Sequence, residues 1–72
     1  MKSVEPIRFA DAERCRYGAK EFSPSECPAE FMTLPLGVFE YLVDGEWRFG
    51  RGSYMSDDGP MVWVEKAEGV AQ

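Results

Sequence analysis

The feature that most constrains the fold is the dipeptide Asp44-Gly45, which lies between two apolar, strand-forming runs. Asp-Gly is typical of a two-residue type I′ turn, because both turn residues of that type need a positive φ. We therefore predict a β-hairpin centred on this dipeptide. Its cross-strand partners are Val43 and Glu46, Leu42 and Trp47, Tyr41 and Arg48, and Glu40 and Phe49.

Both faces of this hairpin are apolar. Cross-strand partners share a face, so one face carries Val38, Leu42, Trp47 and Phe49, with Glu40 among them. The other face carries Phe39, Tyr41 and Val43. An antiparallel sheet that is exposed on one side normally has one polar face. The sheet therefore curls into a small barrel, or the chain wraps both faces, or the face of Phe39, Tyr41 and Val43 is a docking surface for another chain.

The rest of the chain predicts a small α+β domain. A turn at residues 56–60 and a strand at residues 61–65 extend the hairpin to a three-stranded antiparallel β-meander. Residues 11–22 are predicted to form one short helix, with Asp11 as its N-cap. The alternation of Cys15 and Tyr17 with charged residues leaves a strand as the alternative for this segment.

The segments outside the hairpin are predicted to support it. Residues 7–9 suit a short edge strand, because Pro6 is excluded from a central one. The three prolines in residues 23–36 indicate a connector that packs on the sheet with the helix. At 72 residues the chain is one domain, residues 1–72, in which we expect residues 1–3 and 67–72 to be frayed.

The charge distribution favours a basic protein partner. The net charge is −5, and residues 21–47 contain six acids and no base. Direct nucleic-acid binding would need clustered lysines and arginines, so we do not expect it. The predicted partner-binding residues combine the apolar face with nearby charges. They are Phe39, Tyr41, Val43, Arg48, Glu26, Glu30, Asp44 and Glu46.

The residue types argue against catalysis. The chain contains no histidine, which removes the ordinary Ser-His and Cys-His pairs. Cys15 and Cys27 alone do not supply a zinc site, so we expect no metal and no cofactor. We expect both thiols to be reduced in a cytoplasmic protein, because residues 1–15 lack the apolar core of a signal peptide. The apolar runs are also too short for a membrane span.

Residues 43–65 resemble the central strands of SH3-like and Tudor-like barrels, with a turn, a Trp, an Arg, an acidic turn and a further strand. The proline-rich first half departs from that pattern. The resemblance implies an all-β SH3-like barrel as the alternative fold. It also implies a module that reads basic or methylated peptides through an aromatic cage. The cage candidates are Tyr41, Trp47, Tyr54 and Trp63.

These observations lead to three hypotheses for the function. The first is a non-enzymatic inhibitor or adaptor that docks on a basic surface of a larger nucleic-acid-handling protein, of the kind that viruses and mobile elements encode. The second is the peptide-reading module. The third is a structural subunit or homodimer that buries the second apolar face against a copy of itself.

Overall fold

The computed structural model describes residues 3–66. In this range the chain forms one six-stranded antiparallel sheet. The strands are β1 (Val4–Arg8), β2 (Arg14–Tyr17), β3 (Lys20–Phe22), β4 (Glu40–Val43), β5 (Glu46–Ser56) and β6 (Gly59–Glu65). Their order across the sheet is β1-β6-β5-β4-β2-β3, so β1 and β3 are its two edges.

The predicted hairpin is confirmed residue by residue. Strands β4 and β5 pair in the expected register, with Leu42 opposite Trp47 and Tyr41 opposite Arg48. Asp44 has a φ of 54° and Gly45 a φ of 80°, as the turn requires. Strand β6 contains the predicted residues 61–65, and β5 and β6 are joined by the expected acidic turn.

The predicted helix at residues 11–22 is wrong. This segment contains β2 and β3, which form a second hairpin around Gly18, whose φ is 62°. Cys15 lies opposite Phe22 in β3 and also opposite Tyr41 in β4. Pairing with β4, far away in sequence, decides the conformation here, and local helical periodicity does not reveal such a partner.

The α+β fold with a three-stranded meander is therefore wrong as well. In the described range the helical elements are short 3-10 turns, and six strands replace the expected three. The all-β alternative has the right class. The sheet is nevertheless open within residues 3–66, because β1 and β3 lie at opposite edges. Strand β1 contains Pro6 and lies at the edge of the sheet. An edge strand tolerates proline because its missing N–H group is not needed for pairing.

The connector between β3 and β4 covers one face of the sheet, which we call the inner face. It contains three 3-10 turns, at Pro24–Glu26, Ala29–Phe31 and Leu36–Val38. The Tyr41 hydroxyl donates a hydrogen bond to the Leu36 carbonyl oxygen at 2.5 Å, which ties the connector to β4. The buried core beneath it consists of Ala12, Cys15, Phe22, Phe39, Tyr41, Val62 and Val64.

Two further expectations concern the ends of the chain and membranes. The fraying predicted for residues 1–3 and 67–72 falls outside the described residues, except at Ser3, whose carbonyl accepts a hydrogen bond from the Lys66 amide. Among residues 3–66, there is no helix whose length and hydropathy would let it cross a bilayer.

Candidate functional site

The predicted docking face is the core of the protein. Phe39 is only 1% exposed and Tyr41 is completely buried. The ring of Phe39 lies within about 6 Å of the rings of Tyr17, Phe22 and Phe31, so it is the centre of an aromatic cluster. The expectation that this face is left open is wrong, because the connector covers it.

Two other predicted contact residues on this face are also engaged within the chain. Val43 is half-buried and packs against the core. Arg48 is 8% exposed and donates a hydrogen bond to Glu5 in β1 at 2.8 Å. Its guanidinium also lies 3.8 Å from the Asp44 carboxylate. Arg48 therefore links three parts of the fold and is not offered to a partner.

The opposite face of the same hairpin is the exposed one. Leu42 and Trp47 lie opposite each other, and Phe49 follows Trp47 on the same face of β5. Phe49 is 57% exposed, while Leu42 and Trp47 are half-buried. We call Leu42, Trp47 and Phe49 the outer patch. Phe49 adjoins Trp47 and Leu42 on this face, and a contiguous apolar patch marks a candidate interaction surface, whereas a single exposed apolar side chain does not.

A charged pair borders the outer patch. Arg16 in β2 donates hydrogen bonds to Glu40 in β4, and its guanidinium lies over the Trp47 ring at 4.1 Å from the ring centroid. This is a cation-π contact in which the positive charge is also neutralised by a carboxylate. Arg16 and Glu40 therefore hold Trp47 in place without adding net charge to the surface.

Acidic side chains collect at the end of the hairpin that bears the Asp44-Gly45 turn. Asp44 and Glu46 are exposed, and the Glu13 carboxylate accepts a hydrogen bond from the Asp44 amide at 3.1 Å. We call Glu13, Asp44 and Glu46 the acidic end. Asp44 lies in the turn between β4 and β5, Glu46 is the first residue of β5, and Glu13 precedes β2. Glu46 lies opposite Val43 and shares its face, so the acidic end adjoins the hairpin of the outer patch at its turn and not on the same face.

The arginines neutralise this end only in part. Within residues 3–66, each arginine forms an ion pair with a carboxylate. The pairs are Arg8–Asp11, Arg14–Glu21, Arg16–Glu40, Arg48–Glu5 and Arg51–Glu65. Among these arginines, Arg48 also contacts the acidic end, because its guanidinium lies 3.8 Å from the Asp44 carboxylate. The charge that remains available to a partner is therefore mainly negative.

The other two predicted acidic contacts lie elsewhere. Glu26 and Glu30 are exposed on the 3-10 turns of the connector, which covers the inner face. The structure thus places Asp44 and Glu46 at the turn end of the hairpin that bears the outer patch, and Glu26 and Glu30 on the connector.

The four aromatic-cage candidates do not converge. Tyr41 is buried in the core, and Trp47 already contacts Arg16. Tyr54 and Trp63 pack against each other in a tilted arrangement, with 5.4 Å between ring centroids, in the β5–β6 hairpin. Trp47 and Tyr54 are seven positions apart on β5, about 23 Å in a regular strand. These rings therefore do not form the walls of one cage.

Three titratable groups in or beside the core have raised pKa values. Burial raises the pKa of the Cys15 thiol to about 12. Burial also raises the pKa of the Tyr41 hydroxyl and of the Cys27 thiol. A thiol with a raised pKa is a poor nucleophile because little thiolate is present at neutral pH. Among residues 3–66 no group of three or more acidic or cysteine side chains is arranged to hold a metal ion.

Comparison of the chain with protein-family models, curated proteins and solved structures found no match. The candidate site therefore rests on the geometry of this chain.

The sequence predicts the docking role for the face of Phe39 and Tyr41, whereas Phe49 is exposed on the other face. Leu42, Trp47 and Phe49 were placed on one face correctly, and the register confirms it. Glu40 is the signal in the sequence that this face is the exposed one, because a carboxylate among apolar residues is costly to bury unless it is paired.

Proposed function

We propose that this protein is a non-enzymatic binding module that docks on a basic surface of a larger protein. The observation that carries the proposal is the exposure of Phe49, on the same face as Trp47 and Leu42, in a hairpin whose turn end bears exposed carboxylates. An apolar centre with a charged rim is the usual anatomy of a protein–protein interface.

The two parts of the site have different roles in this proposal. The outer patch supplies the apolar area, since a few residues contribute most of the binding free energy at an interface and tryptophan is enriched among them. The acidic end supplies the orientation and speeds up association with a partner of opposite charge. The complex should therefore weaken as the ionic strength rises.

The proposal extends to the kind of partner. Proteins that handle nucleic acids have surfaces of clustered lysines and arginines that bind phosphates. An acidic module that occupies such a surface excludes the nucleic acid and acts as an inhibitor, or it leaves the nucleic acid bound and acts as an adaptor. A homodimer through the outer patch is the competing outcome, and sedimentation of the purified protein distinguishes it.

Affinity capture with matched variants tests the proposal. The immobilised protein is exposed to lysate of the organism that encodes it, at about 50 mM and about 500 mM salt, and retained proteins are identified by mass spectrometry. We expect a basic protein that is retained only at low salt. Phe49→Thr, and separately the double variant Asp44→Asn with Glu46→Gln, should each reduce its retention.

The double variant Asp57→Asn with Asp58→Asn is the control, because it removes the same charge from the β5–β6 turn, away from the outer patch. It should retain the partner as the unmodified protein does. The proposal is wrong if no basic protein is retained at low salt, or if retention is insensitive to the changes at Phe49 and at the acidic end.

A further inference from the structure

A second apolar surface lies on the other side of the molecule, in the connector. It is a groove of about 310 Å³, whose apolar lining includes Phe9, Pro24, Cys27, Phe31, Met32 and Leu36. Its volume is at the lower end of the ~300–1,000 Å³ range of small-molecule pockets, which suits one or two apolar side chains better than a large ligand. Met32 is 70% exposed, so the groove opens to the solvent.

Two exposed glutamates are next in the chain to residues that line this groove. Glu26 lies between Ser25 and Cys27, and Glu30 precedes Phe31, so each acidic residue is adjacent in the chain to a residue of the lining. Both glutamates are exposed. No lysine or arginine occurs between residues 21 and 47 to neutralise them in the local chain. The surroundings of the groove therefore favour a cationic ligand with an apolar centre.

We infer that this groove binds an apolar side chain of a lysine- or arginine-rich protein segment, with the flanking cations of that segment beside Glu26 and Glu30. The inference rests on the proposed function only for the class of partner, a basic protein. It adds a second contact site, on the face opposite the outer patch. A partner segment that reaches around the edge strand β3 could then engage both surfaces.

The direct test uses two peptide probes, Lys-Lys-Leu-Lys-Lys and Lys-Lys-Gly-Lys-Lys, titrated into the purified protein and followed by NMR of the backbone amides. We expect the leucine peptide to bind about tenfold more tightly than the glycine peptide, because the groove removes the leucine side chain from water. The amides of Cys27, Phe31 and Met32 should shift most.

Two methionine variants assign the leucine to the groove. Met32→Gln should abolish the difference between the two peptides, while Met55→Gln should preserve it. Met55 is 74% exposed and lies at the end of β5, so it is a matched control for a change at an exposed methionine. Both variants should fold, because neither side chain belongs to the core.

Protection of Cys27 from alkylation supplies an independent readout. Cys27 lines the groove and is half-buried, whereas Cys15 is completely buried. Saturating leucine peptide should slow the reaction of Cys27 with N-ethylmaleimide, whereas the glycine peptide should not.

Several results would overturn the inference. One is equal affinity for the two lysine peptides, and another is a leucine effect that survives Met32→Gln. A leucine effect that is lost in Phe49→Thr would assign the peptide to the outer patch, and the proposed function would stand without the groove. Equal binding of Glu-Glu-Leu-Glu-Glu would reject the cationic partner segment, while the capture experiment decides the proposed function separately.

Discussion

Gly37 lies against the backbone of Gly52, so close that a Cβ atom on Gly37 would be 2.6 Å from the Gly52 amide nitrogen. Gly50 makes a similar approach, since a Cβ there would be 2.8 Å from the Gly37 carbonyl oxygen. The connector therefore meets β5 backbone to backbone. This contact, together with the hydrogen bond from Tyr41 to Leu36, determines which face of the hairpin is covered.

Gly37→Ala should separate these two backbones. Because the neighbouring atoms belong to the main chain, they cannot rotate away, and we expect a loss of about 1–3 kcal/mol in the free energy of unfolding. Urea denaturation followed by tryptophan fluorescence measures it. Gly18→Asn is the control, since Gly18 has a positive φ that Asn tolerates and open space around it. Equal losses in the two variants would contradict the tight contact.

Phe39 and Phe49 should respond in opposite ways to the same substitution. Phe39→Ala removes the centre of the aromatic cluster and should cost about 3–5 kcal/mol, which is much of the stability of a domain of this size. Phe49→Ala should change stability by less than about 1 kcal/mol, because the ring is largely in water. Thermal denaturation followed by circular dichroism compares them. A larger loss at Phe49 would show that the outer patch is structural.

The ion pair of Arg48 with Glu5 should matter more than its contact with Asp44. The Arg48 Nε is buried without a hydrogen-bond partner among the described residues, so the guanidinium relies on its remaining contacts. Glu5→Gln removes the charge at 2.8 Å and should cost about 1–3 kcal/mol.

Asp44→Asn is the matched control for Glu5→Gln. The Asp44 carboxylate is 86% exposed and lies 3.8 Å from Arg48, so its substitution should cost at most about 0.5 kcal/mol. Asn also tolerates the positive φ at this turn position. Chemical denaturation at one salt concentration measures the free energy of unfolding of both variants. Similar losses in the two variants would show that Glu5 does not stabilise Arg48.

Stability should fall at alkaline pH because of Cys15. Its thiol has a pKa of about 12 in the folded protein, against about 8.5 in an unfolded chain. Between these values the unfolded state releases a proton that the folded state retains, so the free energy of unfolding decreases as pH rises. The full contribution is present below about pH 8.5 and is lost progressively up to about pH 12.

Denaturation curves at several values between about pH 8 and about pH 10.5 measure this slope. Cys15→Ala should make the slope shallower, even though the absolute stability of the variant is lower. Tyr41 contributes at the upper end of the range, since burial raises the pKa of its hydroxyl as well. An unchanged slope in Cys15→Ala would show that the thiol does not ionise differently in the two states.

The segment of residues 11–22 shows where sequence reasoning was insufficient. Ala12, Cys15 and Phe22 are buried, as the predicted helical face required, while Ala19 on that face is exposed at the turn. The spacing of buried residues was compatible with both periods. The segment forms strands because the backbone groups of β4 on this side would otherwise lack hydrogen-bond partners, and an extended segment supplies them.

The candidate site was only half predictable for a related reason. The prediction that Asp44 lies in the turn and that Glu46 follows it opposite Val43 is confirmed, because the turn type follows from two adjacent residues. The apolar part of the site was assigned to Phe39 and Tyr41, which are in the core. The choice between two apolar faces depends on the path of the connector, which the hairpin itself does not specify.

The local sequence alone therefore determined the hairpin, its register and the composition of its two faces, because a type I′ turn and a two-residue side-chain period are properties of neighbouring residues. The tertiary structure decided which face became the core. It did so through the backbone contact of Gly37 with Gly52 and the bond from Tyr41 to Leu36. These contacts hold the connector over Phe39 and leave Phe49 in water.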